Sequence, residues 1–265
     1  MRSQFAPLLR NEAAKALRRK LPYFGIFAVG LACLISYFVA GRLTSASTTN
    51  AWSYFAFSMQ LVFADIGPIL IVVFSAMSLA EETGTGTIRA LLAAPVHRWE
   101  LYLAKAAIGL LYMLALSAAA ALFSFALAKI HYEFGPVGDS FGVVYSREKA
   151  LHQFLLGYLL SWIPLVALVM YGLFVSTIIR VPGAAVAVGT STLFIIEFTK
   201  HLVGLEPYVF TKDICYSWAN LYQFGQGMDY QWQPDAGRMV ILSLASALVT
   251  FIAGLTIFVR EDLNH

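Results

Sequence analysis

Few side chains in this 265-residue sequence have the types and spacing that chemistry requires. The five histidines are His97, His131, His152, His201 and His265, and none shows the H-E-x-x-H or similar spacing by which one helix face grips zinc. The adjacent acids Glu81 and Glu82 superficially suit an intramembrane protease. Such a site also needs a basic residue at fixed spacing and histidines inside the membrane, whereas a Thr-Gly run follows these two. There is no Gly-Lys-Ser or Gly-Lys-Thr phosphate loop. The expectation is a chain with no catalytic residue, no metal and no cofactor of its own. Two acids within apolar runs remain. Asp65 lies near the middle of its run, where an ionised carboxylate costs about 2.5–3.5 kcal/mol on insertion scales, so it must face a bundle or a wet cavity. The following Gly67-Pro68 loosens the helix there and frees backbone partners, so a cavity role and a structural pairing both stay open. Glu197, near the end of another run, reaches water and reads as interfacial.

The elements that must position these residues are membrane helices. Charged residues make up 12% of the chain and hydrophobic ones 59%, against about 25% charged in soluble domains. Six runs are long enough for a helix to cross ~30 Å of hydrocarbon: 21–41, 53–80, 106–128, 154–179, 181–198 and 239–259. Only helices satisfy the backbone inside runs of this length. The fold class expected is an all-α membrane protein, a single transmembrane domain over 1–265 with no linker or repeat. The basic start is too long for a signal peptide, so the first run is read as a retained span. Arg2, Arg10, Lys15, Arg18, Arg19 and Lys20 precede that span against the single acid Glu12, which places the N-terminus in the cytoplasm. Six crossings return the C-terminus to the same side and put residues 81–105 there too.

Three peripheral regions stand out. In residues 1–20, Phe5, Leu8, Leu9, Ala13, Ala16 and Leu17 recur at helical spacing, as in a helix lying in the membrane interface with its basic face toward anionic lipid. Glu12 sits near that apolar stripe, where it can pair with Lys15 or meet a protein partner. Residues 200–237 are rich in aromatics, which prefer headgroup level, and short helices resting on the outer leaflet are expected around 205–224. The fifth span carries Pro182, Gly183, Gly189, Thr190, Ser191 and Thr192, small and hydroxylated residues that suit either a dimer seam or the lining of a pathway. Cys33 and Cys215 lie at different depths and are expected to be free thiols.

The segment "EETGTGTIRALLAAPVHRWELYLAK", Glu81 to Lys105, is the most polar break between two apolar runs. Thr87 can cap a short helix whose Ile88, Leu91 and Leu92 form an apolar face and which Pro95 ends. Arg98 and Trp99 then open the third span. Such a surface helix fits either lipid alone or a groove of a soluble partner. The segment resembles the cytoplasmic signature of type-2 ABC-transporter permeases at Glu81, Glu82, Gly86, Thr87, Leu91, Leu92, Pro95, Val96, Arg98 and Lys105, with Ala104 where that family often has Gly. "NEAAKALRR", with Glu12 and Lys15, and "FVREDL", with Arg260 and Asp262, resemble the family's opening helix and its ending.

That resemblance implies the membrane subunit of an exporter in a bacterial cytoplasmic (inner) membrane. It would work as a homodimer with a second copy of itself and with a separate ABC ATPase that binds ATP and Mg. Residues 81–100 would be a coupling segment seated in the ATPase, with the N-terminal helix touching the same subunit. Glu81, Glu82 and Arg98 would hold it in register by ion pairs. Spans one and five would meet at the seam, and spans two and five, with Asp65, Thr190, Thr192 and Glu197, would line the substrate path. Membrane lipid and an extracytoplasmic protein are further partners considered; nucleic acid is not. Two alternatives remain: a mechanotransmission subunit that drives the extracytoplasmic partner, and an ion-coupled carrier relying on Asp65.

Overall fold

The computed structural model describes residues 5–43, 50–85, 97–139, 142–228 and 233–260. Among them are six helical stretches long and apolar enough to cross a membrane, so the protein is a polytopic all-α membrane protein. A short α1 (Phe5–Arg18) precedes the first span, α2 (Leu21–Leu43). The second span joins α3 (Ala51–Leu61) to α4 (Gly67–Gly84) through a π-helical turn at Val62–Ile66. The third is α5 (Arg98–His131) and the fourth α6 (Arg147–Ile178), with a two-stranded antiparallel hairpin between them, β1 (Val137–Asp139) and β2 (Gly142–Tyr145). The fifth is α7 (Pro182–Val203). Two 3₁₀ turns at Glu206–Tyr208 and Phe210–Ile214 and the helix α8 (Tyr216–Gly225) lead to the sixth, α9 (Gln233–Arg260). Each apolar run thus became a helix, lengthened at most ends by polar residues that carry it past the hydrocarbon.

Local chemistry explains the breaks. Pro68 has no N–H for the Ala64 carbonyl, and its ring would crowd that oxygen. The helix widens by one residue instead, and the Gly67 N–H reaches Val62 O. Asn50 opens α3 with a capping box: its side chain accepts from the Ser53 N–H while the Asn50 N–H donates to Ser53 Oγ. Gly204, at φ 68°, ends α7 in the left-handed conformation that glycine adopts at little cost.

The bundle has a proximal end, carrying α1, Gly84 and Arg98, and a distal end, carrying the hairpin and α8. At the proximal end Arg98 Nη1 donates to Val259 O across 3.3 Å, joining the start of the third span to the end of the sixth. At the distal end Trp52 Nε1 donates to Gly135 O (2.9 Å) and Asn50 Nδ2 to Gly225 O (2.6 Å). The fourth span is the most enclosed and the fifth and sixth are peripheral: 61% of the fourth's apolar window is buried, against 17% for each of the other two. Gly172 lets α6 meet α4 closely, since a Cβ there would stand 2.7 Å from Ser75 Cβ. A buried hydroxyl chain ties spans one, two and three, with Ser36 Oγ and Ser124 Oγ both donating to Ser58 Oγ at 2.8 and 2.9 Å. Cys33 and Cys215 are free thiols.

Two peripheral expectations are revised. The region after the fifth span does form short helices, but α8 packs into the bundle rather than resting on lipid. Trp218 is fully buried against Phe55 and Tyr158, with Leu221 buried beside it, while Tyr208 remains outside. Aromatics suit headgroups and cores alike, and composition did not distinguish the two. The α1 helix is present, yet its Glu12 face turns into the protein.

Candidate functional site: an ion-pair ring and a polar cavity

Lys105 sits two turns into the third span, almost wholly buried, with Arg98 and Glu100 before it and no further charge until Lys129. A buried ammonium must be paired. Its Nζ lies 2.9 Å from Glu12 Oε2 and 3.0 Å from Glu82 Oε2, and it donates to Ser78 O at 3.0 Å. Lys15 Nζ closes the figure from the other side, 2.6 Å from Glu12 Oε1 and 2.8 Å from Glu82 Oε1. Each acid therefore touches both lysines, and each lysine both acids. The ring is electrically neutral and joins three elements: α1, the end of α4 and the start of α5. Helical spacing supplies part of it, since Glu12 and Lys15 are three residues apart on one face of α1. An outer strut runs alongside, from Arg19 Nη2 to Glu81 Oε2 at 2.6 Å.

The electrostatics follow from this geometry. Burial pushes the Glu12 carboxyl up, but Lys105 and Lys15 together hold it below the ordinary 4.5. Burial likewise pushes Lys15 down, and hydrogen bonds and attraction from Glu12 and Glu82 override it and raise Lys15 above 10.5. Glu12 and Lys15 thus both stay charged across neutral pH.

Of the coupling residues expected from sequence, Glu81, Glu82, Glu12 and Lys15 converge here. The acids are held by Arg19, Lys15 and Lys105, and one contact of Arg98 is with the Val259 carbonyl. Gly86, Thr87, Ile88, Leu91, Leu92 and Pro95 lie outside the described residues, so the short helix expected there has no structural description. Its two flanks are described, and the ring clamps both. Sequence reasoning matched Lys105 to the family signature without naming it among the coupling residues, and it did not place Arg19 in the site. The signal for Lys105 was its place in that signature at the edge of the third apolar run, and for Arg19 its position one turn beyond Lys15.

A second charged region lies in the distal half. Asp65, on the π-helical turn, is exposed and makes no ion pair among the described residues. It borders two cavities. One, of about 330 Å³, is lined also by Gln60, Glu197, Lys200, Thr211 and Lys212; the other, of about 600 Å³, by Gln60, Tyr222, Gln223 and Gln226. Glu197 is half exposed and pairs with Lys200 at 2.5 Å. The structure thus brings Asp65 and Glu197 to one cavity. Thr190 and Thr192 do not line it: Thr190 Oγ1 donates to Val186 O of its own helix at 2.8 Å, and Thr192 hydrogen-bonds Tyr171. Gln60 and Lys200 join the cavity without having been expected.

The model of the family described as ABC-2 family transporter protein matches residues 8–195. The chain belongs to the ABC-2 transporter family. The match takes in α1, the ring, Asp65 and most of the fifth span, and it stops before Glu197 and the distal helices. No curated protein matches the chain. ABC-2 membership makes this a permease-type subunit.

Proposed function

We propose that the protein is the membrane subunit of an ATP-driven exporter. Two copies would work with two copies of a separate ABC ATPase and move a substrate out of the cytoplasm or the membrane. The observation that carries this reading is the ring, which fixes both flanks of residues 86–96 to α1 and to the third span. A segment held at both ends by buried charge transmits a push instead of absorbing it. In this reading residues 81–100 seat in the ATPase, with Ile88, Leu91 and Leu92 as apolar anchors, and the termini face the cytoplasm of a bacterial inner membrane. ATP and Mg bind the partner, consistent with a sequence that lacks a phosphate loop, and this chain supplies no catalytic group. The fifth span, exposed along much of its length, is the face for a second copy, and the Asp65 cavities lie beside the substrate path.

The test is reconstitution with the ATPase. Leu91→Asp and Arg98→Glu should each weaken co-purification and lower coupled ATP hydrolysis at least tenfold. Unchanged association and coupling in both variants would refute the reading.

A second reading keeps the ATPase but drives an extracytoplasmic protein instead of exporting cargo. It draws on the distal end, where Asn50, Trp52 and the Tyr145–Phe224 stack at 4.4 Å tie the second span to α8 and the hairpin. Movement of the second span would then reach the distal surface directly. ATPase activity stimulated by cargo in liposomes, with no third protein present, argues against this reading. An ion-coupled carrier using Asp65 is excluded if transport depends entirely on ATP.

A further inference from the structure

A cleft of about 410 Å³ opens between the distal halves of the third and fourth spans, away from Asp65 and sharing no residue with either polar cavity. Its size is that of a site for a bound molecule. Its walls are aromatic, and the rings brace one another. Trp52 stands edge-on to Phe134 at 4.8 Å and 4.9 Å from Phe154, and Phe125 stacks on Phe134 at 4.9 Å. The Trp52 indole is fixed by its hydrogen bond to Gly135 O. The aromatic wall is therefore held in place by its own contacts. Leu151 and Leu155 form an exposed lip open to the side, where acyl chains lie.

Two cations, Lys129 and Arg147, border this apolar space. Lys129 is near the end of α5 and Arg147 is the first residue of α6, so both stand at the level where the spans leave the hydrocarbon. Of the other distal lysines and arginines with described side chains, Lys200 pairs with Glu197, Lys212 with Glu206 at 3.6 Å and Arg238 with Asp213 at 3.4 Å, while Lys149, which does not border the cleft, lies over the Tyr145 ring. Lys129 lies 5.1 Å from the Phe125 centroid, and neither it nor Arg147 has a carboxylate partner among the described residues.

We propose that this cleft binds one acyl chain of an anionic phospholipid, whose phosphate sits between Lys129 and Arg147. A groove that merely touched bulk lipid would need neither braced aromatic walls nor two cations on its border without carboxylate partners among the described residues. The head supplies the charge that the protein omits, and the chain fills a space that water would wet poorly. The site does not depend on what the permease transports, or on which side of the membrane its distal end faces.

The experiment is native mass spectrometry of the full-length protein exchanged into nanodiscs containing equal phosphatidylglycerol and phosphatidylcholine. Wild type should retain phosphatidylglycerol preferentially. Lys129→Gln and Arg147→Gln should each lower that preference about fivefold, the worth of one cation near a membrane surface. The charge-conserving pair Lys129→Arg and Arg147→Lys should keep it. Leu151→Trp, which fills the lip and leaves both cations, should lose the lipid at unchanged melting temperature. Glycerol phosphate should not compete, because the chain supplies much of the binding. Equal retention of both lipids by wild type would overturn the proposal, as would displacement by glycerol phosphate or an undiminished preference in the double Gln variant.

Discussion

The two charged regions of this molecule solve the same problem in opposite ways. At the proximal end, two acids and two lysines are drawn into a closed neutral ring that is largely shut off from water. At the distal end, Asp65 is left open to two cavities, with Glu197, Lys200 and Lys212 around one of them. Buried charge costs several kcal/mol per ion, and only good geometry repays it, so the ring is better read as a device that fixes position than as a store of stability. The distal carboxylate carries its cost without a partner. A charge that is not used to hold the fold together is available to meet something else.

The sharpest way to break the contrast is Lys105→Met. It leaves Glu12 and Glu82 buried with one shared lysine, and breaking a buried pair typically costs about 3–5 kcal/mol. The loss should appear in urea unfolding in detergent. Adding Glu82→Gln restores neutrality around the remaining Glu12–Lys15 pair and should recover at least about 1 kcal/mol, the coupling expected of contacting charges. If the double variant is no more stable than the single, the four charges do not act as a ring.

The pH dependence sharpens the same point. The Glu12 carboxyl is held below its ordinary 4.5, so its contribution is present above that value and is lost as pH falls through the folded pKa. Lys15 is held above 10.5, so its contribution is complete below that value and is lost as pH rises through the folded pKa. The melting temperature should therefore be flat between these limits as far as Glu12 and Lys15 are concerned and fall on either side. In Glu12→Gln the acid limb should shrink while the alkaline limb remains. An acid limb unchanged in that variant would assign it to other carboxylates.

Much of this was legible in the sequence. Apolar length located all six spans, because the cost of an unpaired backbone in hydrocarbon leaves few choices. The stripe on α1 and the acidic pair flagged the ring's acids, and Asp65 announced itself by its depth. What sequence could not supply was partnership between distant elements. Lys105 had to be paired, but nothing local named Glu12, 93 residues away. The burial of α8 was equally hidden, since Trp218 and Leu221 would serve a lipid interface as well as a core. Pro68 predicted a disturbed helix, but whether it would kink or widen was settled by packing.

The strut between Arg19 and Glu81 tests the comparison at lower stakes. Both side chains are more than a quarter exposed. Arg19→Gln should cost no more than about 1 kcal/mol, as exposed pairs do. A larger loss would extend the ring's burial to its outer edge.

Asp65→Asn should have the smallest effect on stability, within about 0.5 kcal/mol, because the carboxylate is exposed and no pair is broken. Its consequence should lie in access. In a Cys215→Ser background, which removes the thiol lining the smaller cavity, Asp65→Cys should react with a charged, membrane-impermeant thiol reagent. Cys33, buried in the first span, should not. A position that tolerates loss of charge, admits a charged reagent and lies at membrane depth has no structural reason to be an acid. A stability loss above about 1.5 kcal/mol would indicate a lost structural pairing, and the two charged regions would then be doing the same job.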